Sequence, residues 1–248
     1  MLHLNQLIGF GVASASGPNI QFVGGNTSAK LGGTSGTSTI ALSSGLTGGI
    51  SSAVSSGDLV IAVFGTGSQA DRTLSITDGT NNYTLIGSEY YVVGGSYRVN
   101  LRVAYKFVSG DTATTFGPTG NASDAGAMAV YVFRGVNQST PIDVTPTTSS
   151  STSSVLVNPA AITPATTGSF VVAVGAGAHQ DGIDTYTASG LTNFFTRGGS
   201  DDDNDVSIGI GHVPSWSSGV VDPAAWTFSG SDSSGFAYAS VSFALRPA

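Results

Sequence analysis

The segment Gly57-Asp-Leu-Val-Ile-Ala-Val63 returns 111 positions later as Gly168-Ser-Phe-Val-Val-Ala-Val174. Further matches follow in the same order. Thr80–Ser88 aligns with Leu191–Gly199, with Asn82 on Asn193 and Gly87 on Gly198. Asp111–Phe116 falls near Asp222–Phe228, and Ala127–Arg134 matches Ala239–Arg246 at an offset of 112. Four matches in order, without large shifts, imply two related halves. The fold must therefore accommodate the same unit twice.

What that unit is made of shows in the hydrophobic pattern. Asp58–Phe64 is a nearly unbroken apolar run rich in Val and Ile, as expected for a strand buried on both faces. Tyr97–Val108 alternates strictly. Tyr97, Val99, Leu101, Val103, Tyr105 and Phe107 fall on one face, with Arg98, Asn100, Arg102 and Lys106 on the other. Asp78-Gly79 supplies the positive φ of a tight turn. Gly and β-branched residues recur too often for long helices, and no window carries a 3.6-residue period. The expectation is an all-β chain: a jelly-roll-like antiparallel β-sandwich of two related halves with an extended N-terminal arm. Neither half has enough large apolar residues to fill a comfortable core alone, which favours one shared sandwich.

The boundaries follow from composition. Between residues 24 and 57, 23 of 34 residues are Gly, Ser or Thr, so residues 1–56 read as an arm that anchors the chain or exchanges a strand. Residues 57–248 read as the sandwich, with halves 57–144 and 155–248 joined by a Pro/Ser/Thr linker, 145–154. Leu7–Ala15 has the apolar core and small-residue end of a signal peptide but lacks a positive segment before it, so it is expected to stay on the chain and be held down. No stretch reaches the roughly 20 apolar residues of a membrane span.

Charge and cysteine usage exclude several classes. Formal net charge is −7 with no basic run, which does not suit nucleic acid, whose phosphates supply most of that affinity. Absence of Cys removes disulfides, thiol nucleophiles and Cys-based zinc sites. Only 9% of residues are charged, far below the roughly 25% of ordinary soluble domains, so the surface is built from hydroxyls and amides. Such a surface suits a crowded assembly or a secreted protein.

Catalysis finds little to work with. The Gly-x-Ser-x-Gly elbow is absent, and none of His3, His179 and His212 sits in a recognisable catalytic context. Glu89 is the sole Glu, so a glycosidase would need Asp pairs, and the Asp residues read mainly as turn residues. The chain is expected not to be an enzyme and to need no cofactor.

Three features are candidates for binding. In Asp201-Asp-Asp-Asn-Asp205, Asp201, Asp203 and Asp205 present hard oxygen ligands at alternating positions, the type Ca²⁺ takes, although the Gly and distal Glu of an EF-hand are missing. Arg98, Arg102 and Lys106 form a basic row on one strand face, read equally as a contact to acidic loops of a neighbour or as charges that deter edge pairing. Trp216, in Pro214-Ser-Trp-Ser-Ser-Gly219, is a loop aromatic suited to a partner or a sugar ring, whereas Trp226 aligns with a strand and reads as core. Leu2, Leu4, Leu7 and Phe10 would be the apolar contacts of the arm.

The landmarks Gly57-Asp-Leu-Val-Ile-Ala-Val, Val132-Phe-Arg-Gly-Val-Asn-Gln-Ser-Thr-Pro-Ile-Asp143, Val171-Val-Ala-Val and Ala244-Leu-Arg-Pro-Ala248 resemble a recurrent β-sandwich module of phage structural proteins and bacterial surface proteins. The resemblance covers roughly residues 57–248. Leu7-Ile-Gly-Phe-Gly is similar to the start of many small phage tail and capsid proteins. It implies a virion location, as capsid decoration or a head or tail fibre component. Partners would be other virion proteins, major capsid or tail proteins, and further copies in a homo-oligomer, with no nucleic acid and no membrane. The alternative is an adhesion module that recognises host surface glycans.

Overall fold

The computed structural model describes residues 19–30, 36–68, 70–94, 97–117, 124–179, 185–200, 205–228 and 235–248. They contain strands and turns only. The first half supplies β1 (Gln21–Lys30), β2 (Ser38–Ala41), β3 (Leu59–Gly67), β4 (Ile76–Thr77), β5 (Thr84–Leu85), β6 (Tyr90–Gly94), β7 (Tyr97–Phe107), β8 (Ala113–Phe116) and β9 (Gly126–Arg134). The second supplies β10 (Thr147–Ser154), β11 (Phe170–His179), β12 (Tyr186–Thr187), β13 (Thr192–Gly199), β14 (Asp205–Val213), β15 (Thr227–Phe228) and β16 (Phe236–Leu245).

The repeat read in the sequence is a repeat of topology. One large sheet runs β1-β9-β3-β7-β5, with β6 also on β7; the other runs β10-β16-β11-β14-β13. All pairs are antiparallel, and even the register is carried over. Leu59 of β3 faces Phe133 of β9, while Phe170 of β11 faces Leu245 of β16. Each large sheet is backed by a small one, β2-β8-β4 in the first half and β12-β15 in the second.

The two large sheets pack face to face, and their contacts are reciprocal. β1 lies against β13 and β10 against β6; β11 meets β7 and β14 meets β3. This is a pseudo-twofold arrangement. The expected sandwich is present, but each large sheet is drawn from one half alone, whereas a jelly roll spread over both halves would carry strands from sheet to sheet.

Four layers explain the unbroken apolar runs. Leu59, Ile61 and Val63 of β3 enter the central core between the large sheets, with Tyr131, Phe133, Val172, Val174, Ile208 and Val241. Their neighbours Val60, Ala62 and Phe64 face the other way, into a second core under β2-β8-β4 with Leu74, Ile76 and Phe116. A strand wetted on neither face has no reason to alternate. Behind the second sheet the same layer is built differently: the six-membered ring of Trp226 packs against a glycine floor. A Cβ at Gly175 would stand 2.9 Å from the Trp226 ring, and one at Gly209 2.7 Å from it.

Two boundaries differ from the sequence reading. The stretch expected to be a linker, 145–154, contains β10, paired with β16 from Thr147 opposite Ser242 to Ser154 opposite Phe236. It lacks apolar residues, yet a hydroxyl strand can pair with one: Ser240 Oγ donates to Ser149 O at 3.1 Å, and the Ser149 and Tyr238 hydroxyls are 2.9 Å apart. Within the expected arm, β1 is a full strand on β9 and β2 part of the backing sheet. Residues 1–18 lie outside the described residues.

What joins the halves is the motif Val136–Asp143, which pairs with the C-terminal tail. Val136 bridges Pro247 and Ile142 bridges Leu245. The buried Asp143 carboxylate binds Arg246 Nε at 3.0 Å and accepts from Ala165 N at 2.6 Å and Thr166 N at 2.9 Å. Burial works against its charge, but the hydrogen bonds from Thr166, Ala165 and Arg246 outweigh it and lower its pKa. Arg134, the repeat partner of Arg246, makes the analogous pair with Asp58 at 2.8 Å.

Candidate functional site: a polar cleft, a buried histidine and an open flank

On β7 the alternation holds. Val99, Leu101 and Val103 enter the central core, and the even positions face outward. That outward face is covered by the chain's own loops. Lys106 Nζ lies 2.7 Å from Asp78 and 2.5 Å from Asp111. Arg102 lies 3.5 Å from Glu89, whose other oxygen accepts from Leu74 N at 2.6 Å. Arg98 is half-buried and also engaged. The basic row therefore ties the loops around residues 74–90 and 109–111 to the sheet, whichever further partners it has.

Around Lys106 is an open cleft of about 380 Å³ lined by Asp78, Thr80, Asn81, Lys106, Ser109 and Asp111, among others. Asp78 caps its turn, accepting from Asn81 N at 2.6 Å and Thr80 N at 2.8 Å. The Asn81 backbone N–H, then Lys106, hold its carboxyl far below the usual range. Burial opposes the Lys106 charge, but Asp111 and Asp78 outweigh it and raise its pKa. Locked as an ion-paired cation between two anions, Lys106 is suited to hydrogen bonding, not to proton transfer.

A buried histidine was not legible in the sequence. His212 is 2% exposed, on β14 in the central layer. Its ring stacks on Phe170 at 5.3 Å and meets Phe22, Tyr131 and Phe133 edge-on or tilted. Tyr131 Oη lies 2.6 Å from Nδ1 and donates to the Asn193 carbonyl at 2.9 Å. A hydroxyl has one proton, so the Nδ1–H of a neutral His212 donates to it. Burial pulls the His212 pKa down from 6.5 to about 4.

The remaining expected residues are distributed as follows. Asp205 is buried at the start of β14, while Asp201 and Asp203 lie outside the described residues, as do Leu2, Leu4, Leu7 and Phe10. Among the described residues no group of three or more His, Asp or Glu side chains is placed to hold a metal ion. Trp216 is half-buried, its indole N–H donating to Gly219 O at 2.8 Å within its own turn. Trp226 is fully buried.

The two flanks of the sandwich, equivalent by the pseudo-twofold, are finished differently. At the β1/β13 flank, the segment 47–51 is stitched along the outer edge of β1. Gly25 and Thr47 exchange two hydrogen bonds of 2.9 Å, and Ile50 N and Ser51 N donate to Phe22 O and Val23 O. Among its described residues the second half has no counterpart of that segment. At the β6/β10 flank, β10 ends its sheet, and among the described residues no main-chain group bonds to its outer edge. Val93 of β6 and Val155, just after β10, are 45% and 53% exposed beside it.

No family model, no curated protein and no solved structure matches this chain.

Proposed function

We propose that this chain is a structural component of a bacteriophage particle, a capsid decoration or a head or tail fibre protein, acting by binding its neighbours. The observation that carries the binding reading is the open β6/β10 flank, where an uncharged edge strand and two exposed valines stand ready for a partner. The strand-and-turn landmarks noted above support the virion setting. Engagement of Arg72, Arg102, Lys106, Arg134 and Arg246 in ion pairs that fasten loops supports a structural role.

Labelling purified particles with an antibody to this chain, together with mass spectrometry of their proteins, tests the reading. Label at a fixed place on head or tail is expected. Infectious particles that lack the chain would refute it. A second reading, a glycan-binding module, is favoured by the cleft around Lys106, whose amide, hydroxyl and carboxylate groups match sugar hydroxyls. Among the described residues no aromatic ring lines that cleft to give a stacking platform. Binding on a glycan array that Asn81→Ala abolishes would favour it over the first.

A further inference from the structure

The closed flank shows what this fold does with such an edge: the segment 47–51 runs beside β1 and bonds to it. On β10, among the described residues, the same need is unmet. In an antiparallel strand with one neighbour, about half of the main-chain N–H and C=O groups point away from it. Long exposed edges are usually protected by Lys, Pro or a bulge. Thr147–Ser151 has no charge and no Pro, and the one irregularity of β10 comes after it, between Ser151 and Ser154.

The available stretch is bounded at both ends. Pro146 precedes it, and beyond Ser151 the strand turns against β6, where a Cβ at Gly94 would collide with the Thr152 carbonyl. Thr148 and Ser150 are exposed, so any strand laid along this edge meets hydroxyls.

We propose that the occupant is a second copy of this chain, with Thr147–Ser151 of each copy pairing antiparallel about a two-fold axis. This names the partner within the binding reading above and rests on it. Charge selects the occupant. A chain of net charge −7 attracts basic partners, but this edge carries no acid to receive one. An identical strand is uncharged, short enough to fit between Pro146 and the bulge, and sets Thr and Ser opposite Thr and Ser, which is favourable across strands. Isologous pairing of this kind closes on itself and gives a dimer instead of a fibre. The two five-stranded sheets become one continuous sheet. Val93 and Val155 sit at the rim, where a partner would cover them.

Sedimentation of the full-length chain over a concentration series tests this, alongside a double variant Thr148→Lys/Ser150→Lys and a second, Thr148→Glu/Ser150→Glu. The wild type is expected to dimerise. Each double variant should weaken the dimer roughly tenfold, because two like-charge pairs then face each other at up to about 1 kcal/mol each. Mixing the two variants should restore dimer as a heterodimer. Circular dichroism and melting confirm that both remain folded, since the substituted side chains are exposed. A wild type that is monomeric up to its solubility limit overturns the proposal. So does a dimer unchanged in both folded variants. Neither result bears on whether the chain is found on particles, so failure here and failure of the virion reading are distinguishable.

Discussion

Acid should weaken this protein well above the range in which its carboxylates titrate, through His212. In the unfolded chain the imidazole takes up a proton near 6.5; in the folded protein burial holds that event down to about 4. Above pH 6.5 both states are neutral and the group is silent. As pH falls from 6.5 to 4 the unfolded state binds the proton and the folded state does not, so stability drops throughout that window. The full gap is worth roughly 3 kcal/mol, a large part of a domain's 5–15 kcal/mol. The carboxylates with lowered pKa, such as Asp143, act from their unfolded pKa of 3.8 downward and touch only the acid end of this window, which belongs mainly to His212. Urea midpoints followed by tryptophan fluorescence at pH 7.5, 5.5 and 4.5 measure the loss. His212→Phe should remove most of the slope, since a phenyl ring fits among Phe22, Phe133 and Phe170, and the Tyr131 hydroxyl keeps Asn193 O as acceptor. If His212→Phe loses as much stability as the wild type between pH 7.5 and 4.5, the buried-histidine account is wrong.

Asp143→Ala strands Arg246 and two backbone N–H donors and should cost about 3 kcal/mol, as loss of one partner of a buried pair does, lowering the thermal midpoint by several degrees. A loss below about 1 kcal/mol would contradict the assigned role. Gly175→Ala places a methyl 2.6 Å from Val157 and 2.9 Å from Trp226 and should cost about 1–3 kcal/mol, with an altered Trp emission spectrum. Unchanged melting and emission would mean that the glycine floor under Trp226 is not tightly packed.

The strands that carry core residues were legible. Val99, Leu101 and Val103 alternate because one face of β7 is core, and Leu59–Phe64 does not alternate because both faces are. Repeat offsets of 111 and 112 reappear as the register of β3 on β9 and of β11 on β16. β10 escaped notice because it owes its place to pairing with Ser240 and Ser242 of β16, not to any apolar period. Lys106 and Arg102 looked outward, and they are, but carboxylates on distant loops come back over them. Such non-local return leaves no local signal. His212 was unremarkable in sequence because Phe22, Tyr131 and Phe133, on strands of the other sheet, reach it only when the sheets dock.

Among the described residues the two large sheets share no main-chain ladder, and this shapes how the chain can come to its native state. The first half can close β1-β9-β3-β7 once Arg134 has been synthesised, before any strand of the second exists. Until then the side of the sheet with Leu59, Ile61, Tyr131 and Phe133 is bare. Two unfinished chains in that state could each supply the other's missing layer, burying the same side chains as the finished monomer. What opposes this is tethering: the short passage from Arg134 to β10 keeps the second half, as it is made, at high effective concentration beside the first, and the C-terminal tail fastens that passage last. The pseudo-twofold core is, in effect, a dimer interface that its connector makes independent of dilution.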